Sequence, residues 1–231
     1  RGLGDVYKRQ TQTLNFMQLT EHPFAQYVRI LGKGKTGSRS LSFDEARDAM
    51  SMILHADVED AQIGAFLMLL RVKEESAEEI AGFVSACRSY IADNHLSHEM
   101  KLPMTIDIDW SSYAGKRKQP LWFLLSVALL AENGYNVFMH GAKGHTAGRV
   151  YTEDTLRELG APIANNTAEV AEALSTRHFA FMPLSSLCAP LAELISMRSL
   201  FGLRSPVHTL CRLLNPYAAK LTLQSVFHPA Y

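Results

Sequence analysis

From Pro23 to about Asn94, apolar residues recur three and four positions apart. The sets are Phe24, Tyr27, Val28 and Leu31; Ala46, Ala49, Met50 and Ile53; Ile63, Phe66, Leu67 and Leu70; and Ile80, Phe83, Val84 and Cys87. That spacing gathers each set on one face of an α-helix. Punctuation agrees with the period. Gly32-Lys33-Gly34 ends the first helix, and Ser42-Phe43-Asp44-Glu45 and Ser76-Ala77-Glu78-Glu79 are capping boxes that open the second and fourth. The remaining helix is predicted from about Glu59 to Val72. Helices in succession, each with one apolar face, predict a small bundle.

After His95 the period changes. Short β-like runs at Thr105–Ile108, Asn136–Met139, Phe179–Met182 and Leu221–Phe227 alternate with helical stretches near Leu121–Glu132, Glu153–Leu159, Ala168–Leu174, Pro190–Ser199 and Val207–Leu214. Alternating strands and helices predict a parallel sheet covered by helices. The fold class expected is therefore α+α/β: a helical domain over residues 11–100, a boundary near Lys101-Leu102-Pro103, and an α/β domain over residues 101–231. That second domain reads as incomplete, because the chain stops directly after its last β-like run. Residues 1–10 contain Asp5-Val6-Tyr7-Lys8-Arg9-Gln10, which looks like a translated sequencing adapter and is set aside.

Composition narrows the picture further. With 23 Lys+Arg and 23 Asp+Glu the formal charge is zero, so the whole molecule exerts no long-range pull on nucleic acid or an anionic membrane. The balance is uneven: from Trp110 to Tyr231 there are eleven Lys/Arg against seven Asp/Glu, which leaves room for a local basic surface. Cys87, Cys188 and Cys211 are odd in number and lack metal-type spacing, as expected of buried thiols in a reduced, cytoplasmic protein. The longest apolar stretch, Leu121 to Ala131, is about half a membrane span and predicts a buried helix. His145, His178, His208 and His228 have no carboxylate or Cys partner at zinc spacing, and no metal site is expected. Gly32-Lys33-Gly34-Lys35-Thr36-Gly37-Ser38-Arg39 has the wrong spacing and setting for a P-loop and reads as a basic inter-helix loop.

The segment Ala61 to Lys73, followed by Glu78-Glu79-Ile80-Ala81-Gly82-Phe83, resembles the N-terminal helical domain of the glycosyltransferase family that includes anthranilate phosphoribosyltransferase. The resemblance implies a homodimer through those helices. It also implies a catalytic reading in which Mg²⁺ and phosphoribosyl pyrophosphate bind the second domain. The family's Gly-Thr-Gly-Gly-Asp phosphate loop aligns with Ser111-Ser112-Tyr113-Ala114-Gly115, and its Asn-x-Ser-Thr with Leu121-Trp122-Phe123-Leu124. Glycines there let backbone N–H groups approach a diphosphate; the side chains found here close that approach. The Lys-His-Gly-Asn-Arg run appears as Met139-His140-Gly141-Ala142-Lys143. Arg-Thr-x-Phe-Asn-x-Leu-Gly-Pro-Leu-x-Asn-Pro appears as Arg204 to Pro216, with His208 at its Asn and Cys211-Arg212 at its Gly-Pro. Arg198 matches the Arg that faces the aromatic acceptor. Tyr113-Ala114-Gly115-Lys116-Arg117-Lys118-Gln119, Met197-Arg198, His208-Thr209-Leu210 and the terminal His228-Pro229-Ala230-Tyr231 together resemble the YbiB-like branch of the family, whose members are regarded as nucleic-acid binders without the phosphoribosyltransferase motifs.

Two functions from different classes follow. In the first, a non-catalytic protein binds DNA or other nucleic acid without sequence preference, Lys116, Arg117 and Lys118 neutralising phosphates and Lys143 and Arg149 extending the basic rim. Ser111, Tyr113, His140, Gly141, Arg198 and Arg204 are then remnants of a substrate pocket, with no catalytic residue and no cofactor. His140 reads as a hydrogen-bonded structural residue. Arg198 and Arg204 either hold an anion or pair within the helical region. Tyr113 is available to stack on a base, while Trp110 reads as core. In the second, the same fold remains a phosphoribosyltransferase with altered substrate loops, using His140, Arg198 and Arg204.

Overall fold

The computed structural model describes residues 21–95 and 102–225. The adapter-like start, the boundary residue Lys101 and the terminal His228-Pro229-Ala230-Tyr231 lie outside the described residues. Four helices form the first part: α1 (Ala25–Gly32), α2 (Phe43–Leu54), α3 (Asp60–Lys73) and α4 (Ala77–His95). The periodic stripes are the core. Phe24, Ala46, Ala49, Phe66, Leu67, Leu70 and Cys87 have no solvent exposure, and the Phe24, Phe66 and Phe83 rings meet edge to face. Val28, Ile63 and Ile80 sit at the margin of that core.

Both capping boxes close as the sequence demands. Glu45 N–H donates to Ser42 Oγ and Ser42 N–H to Glu45 Oε2. Arg39 clasps the same carboxylate through two bonds of 2.6 Å and holds its pKa down to about 2. In the second box Glu79 is fully buried. It accepts from Ser76 N–H, Leu41 N–H and Lys73 Nζ, so its charge is paired and hydrogen-bonded as burial requires.

The second part runs β1 (Ile108–Ser112), α5 (Phe123–Glu132), β2 (Val137–Gly141), α6 (Thr152–Glu158), α7 (Thr167–Arg177), β3 (Phe179–Pro183), α8 (Leu184–Leu187), α9 (Ala189–Ser196), α10 (Arg198–Phe201), α11 (Val207–Leu210), a 3₁₀ turn (Cys211–Leu213) and β4 (Leu221–Leu223). All strands are parallel, in the order β3-β2-β1-β4, with Ile108 opposite both Val137 and Leu221. Alternate residues face opposite sides of the sheet. Phe138, Ala180 and Met182 join the core shared with the helical bundle, whereas Ile108, Val137, Met139 and Phe181 form a smaller core beneath α5 and α6.

Four expectations are corrected. The first strand lies at Ile108–Ser112, not Thr105–Ile108, so Ser111 and Ser112 belong to the strand and not to the loop after it. Polar Asp109 and Ser112 hid it from the pattern, yet each finds a partner, His140 and Thr152 respectively. The stretch Pro190–Ser199 breaks at Met197, which ends α9 and begins α10. Val207–Leu214 tightens into a 3₁₀ turn, and the Arg88 guanidinium takes up the Leu213 and Leu214 carbonyls. Finally, α5 is apolar all round but buries only Val127 and Ala131 fully; Trp122, Leu125 and Leu129 are 63%, 65% and 66% exposed.

Candidate functional site

In open parallel sheets, ligands meet the carboxyl ends of the strands. Here three segments converge on that end: residues 113–122 after β1, residues 142–151 after β2, and residues 197–217, which carry α10, α11 and the 3₁₀ turn. Together they contain Lys116, Arg117, Lys118, Lys143, Arg149, Arg198, Arg204 and Arg212, and no Asp or Glu.

The first two segments are sewn together. Lys116 and Val150 exchange both backbone hydrogen bonds at 2.9 Å, and Arg149 Nη1 donates to the Gly115 carbonyl at 2.8 Å. Gly115 permits this closeness, because a Cβ there would lie 2.9 Å from the Val150 oxygen. Arg117 and Lys118 then project from a pinned turn and are exposed, while Lys116 is half-buried. Arg198 ties the third segment to the second by donating to Thr146 Oγ1. The Thr146 hydroxyl lies 3.3 Å from His145 Nδ1, and His145 Nε2 donates to the Tyr113 carbonyl at 2.8 Å.

Electrostatics agree with this convergence. Burial first, and then Arg198, Arg204 and Arg149, pull the His145 pKa below its ordinary value. Burial and the neighbouring His145 push His208 down to about 4. The two imidazole rings lie 5.4 Å apart, edge to face. The His208 Nε2 and Ser205 Oγ atoms are buried and have no hydrogen-bond partner among the described residues.

Beneath the loops lie the residues that the resemblance aligns with a phosphate loop. Tyr113 is 3% exposed, and its hydroxyl sits 2.6 Å from His140 Nδ1. His140 is fully buried, and its Nε2 lies 3.3 and 3.4 Å from the two carboxylate oxygens of Asp109, itself 1% exposed. Burial drives the Tyr113 pKa well above the ordinary value, so the phenol stays protonated within hydrogen-bond distance of Nδ1. Tyr113 is thus part of the core, and the base-stacking role considered for it is excluded. Gly141 is held by packing too, since a Cβ would lie 2.3 Å from the Ser112 carbonyl oxygen. What remains open at the end of β1 is a cleft of about 30 Å³ lined by Trp110, Ser111, Ser112, Tyr113, Phe123, Lys116 and Arg212 among others. That is the room of about one water molecule.

This architecture matches known proteins. Residues 25–91 match the model of the glycosyl transferase family, helical bundle domain. Anthranilate phosphoribosyltransferase from Thermus thermophilus superposes with a TM-score of 0.68 at 22% identity, covering 90% of this chain and 59% of that one. The chain has the anthranilate phosphoribosyltransferase fold.

The anthranilate phosphoribosyltransferase from Saccharomyces cerevisiae in complex with PRPP and Mg superposes at 0.65, with 22% identity over 85% of this chain and 56% of that one. In sequence, the chain is 32% identical to the uncharacterized protein YbiB of Escherichia coli K12, over 90% of this chain and 64% of YbiB. It is also 32% identical to anthranilate phosphoribosyltransferase of Pseudomonas fluorescens, over 82% of this chain and 53% of that protein. The chain therefore spans between half and two thirds of the length of these relatives.

On this anthranilate phosphoribosyltransferase scaffold, the cleft at the end of β1 is lined by the rings of Trp110, Tyr113 and Phe123. The basic residues divide by environment. Lys143 reaches Glu153 at 2.9 Å and Asp154 at 3.4 Å, so its charge is neutralised within the protein and the place given to it on the basic rim is corrected. Arg149 acts mainly as a clasp. Arg204 is exposed, whereas Arg198 is half-buried against Thr146. Arg212 at the cleft and the exposed ring of Trp122 went unread in the sequence. Arg212 stands where the aligned family motif has Pro, which was the available signal; Trp122 lay inside a uniformly apolar run that concealed which face pointed outward.

Proposed function

We propose that this protein binds the phosphate backbone of nucleic acid, without sequence preference, across the carboxyl end of its parallel sheet. The observation that carries the reading is the convergence of three carboxylate-free segments bearing Lys116, Arg117, Lys118, Arg198, Arg204 and Arg212. A polyanion meeting such a surface releases condensed counterions, which makes affinity fall as salt rises. A pinned turn also presents Arg117 and Lys118 with less conformational freedom to lose than a loose tail would. Phosphate contacts hold a protein on nucleic acid without reading its sequence, so backbone contact is the mode proposed.

Titration of a labelled oligonucleotide at a series of NaCl concentrations tests this. The expected log–log plot slopes steeply downward, and changing Lys116, Arg117 and Lys118 together to Ala lowers the magnitude of the slope by about 2–3. Absence of binding at low salt, or affinity indifferent to salt, sinks the proposal.

A further inference from the structure

His145 and His208 meet where the three basic segments join, and their hydrogen-bond partners fix where each ring carries its proton. A carbonyl only accepts, so His145 Nε2–H donates to Tyr113 at 2.8 Å and Nδ1 is left bare beside the Thr146 hydroxyl at 3.3 Å. In the same way His208 Nδ1–H donates to the Ser205 carbonyl at 3.2 Å. Its Nε2 is left bare, buried and without a hydrogen-bond partner among the described residues. A second proton therefore has a place on either ring and breaks no hydrogen bond. His140 differs, because both its nitrogens already lie against Tyr113 and Asp109.

Burial and positive charge oppose that second proton. Arg198, Arg204 and Arg149 act on His145, and His145, Arg204 and Arg198 act on His208. The rings are 5.4 Å apart, and Tyr151 lies 5.1 Å from His145 as an uncharged neighbour. On α6, Glu153 and Asp154 are taken up by Lys143 and Arg157. Of the helices packed on α11, α9 carries an exposed Glu193, and α4 carries Arg88, which is held by the Leu213 and Leu214 carbonyls.

We propose that the His145–His208 pair couples polyanion binding to proton uptake, so that this protein holds nucleic acid more tightly as pH falls below neutral. This inference rests on the phosphate-binding reading above and adds a proton linkage to it. A phosphate near Arg198 and Arg204 offsets the charge that keeps both rings neutral. Coupling is reciprocal: if the anion raises the proton affinity of the rings, protons raise the affinity for the anion by the same factor. The complex then binds more protons than the free protein. Affinity therefore climbs as pH drops below the ordinary 6.5 and levels off near the free value, about 4 for His208. Return of His208 to its ordinary value on binding corresponds to a gain of about tenfold between pH 7.5 and pH 5.5.

The experiment titrates the full chain with the labelled oligonucleotide across that pH range at constant ionic strength. Calorimetry near pH 6 is run alongside in two buffers of different ionisation enthalpy. A gain of about tenfold and a buffer-dependent heat that reports proton uptake are expected. His208→Gln cannot take the proton, and the ratio of affinities at the two pH values is expected to shrink to about twofold, the remainder belonging to His145. Imidazole C–H resonances of the unaltered protein give a readout that needs no variant: the midpoints of His145 and His208 are expected to rise on adding the oligonucleotide. Buffer-independent heat, or midpoints that stay put in the complex, overturns the coupling while salt-dependent binding survives. Affinity that falls on acidification through this window overturns it in favour of charge repulsion opening the junction. Absence of binding at low salt at every pH removes the phosphate reading first and this one with it.

Discussion

Changing Tyr113 to Phe removes one oxygen from the middle of a buried chain, Asp109–His140–Tyr113. The ring can stay in place, since its 3% exposure reflects contacts with the large core. What is lost is the hydrogen bond of 2.6 Å that satisfies His140 Nδ1. Phe138 stacks on the imidazole with centroids 5.8 Å apart, and His140 has no exposed surface, so water cannot replace the phenol without opening the sheet. A buried polar atom left without its partner costs about 1–3 kcal/mol, more than the net worth of an ordinary hydrogen bond. Tm should fall by about 2–4 °C for each kcal/mol in a chain of this size. Urea denaturation followed by far-ultraviolet circular dichroism measures the loss through the midpoint, at unchanged m-value. Oligonucleotide affinity and its salt slope should not move, because the basic loops lie above this chain and not in it. A loss below about 0.5 kcal/mol, within the range of ordinary surface substitutions, would show that the relay is not closed as described. Impaired binding at full stability would place Tyr113 against the ligand and refute the reasoning.

Three further outcomes are expected. His208 titrates near 4 in the folded protein against an ordinary 6.5, so between those values the unfolded chain binds more protons and stability falls as pH drops through the window. His208→Gln should flatten that part of the profile, and identical pH dependence of the urea midpoints in both proteins would contradict it. Gly141→Ala drives a Cβ to within 2.3 Å of the Ser112 carbonyl oxygen; backbone cannot yield cheaply, so destabilisation should reach or exceed the usual 1–3 kcal/mol of overpacking, read from thermal unfolding. Calorimetric titration of phosphoribosyl pyrophosphate with Mg²⁺ should give no saturable micromolar binding, and a clear isotherm would restore the transferase reading.

The helical bundle was legible almost residue by residue, because a 3.6-residue period and two capping boxes are local signals that tertiary contacts then reinforce. The stripe Phe66, Leu67 and Leu70 reappears as fully buried core. In the second part the kinds and order of elements were legible and their edges were not. Asp109 and Ser112 look foreign to a strand until His140 and Thr152 are brought beside them from elsewhere in the chain. The candidate site followed the same rule. Lys116-Arg117-Lys118 is contiguous and stands out at once, whereas its union with Arg198, Arg204 and Arg212 depends on how three loops fold over one sheet end. Lys143 looked equivalent to its neighbours, and only the approach of Glu153 and Asp154 on α6 removed it.

The sequence by itself determined the two-part architecture, since that resides in local periodicity and in the capping residues that open and close each element. The tertiary structure alone decided that Tyr113 turns inward, that Trp122 turns outward, and which cations remain available to a ligand. Burial and ion pairing are properties of surroundings assembled from distant segments, and an amino acid's own chemistry does not carry them.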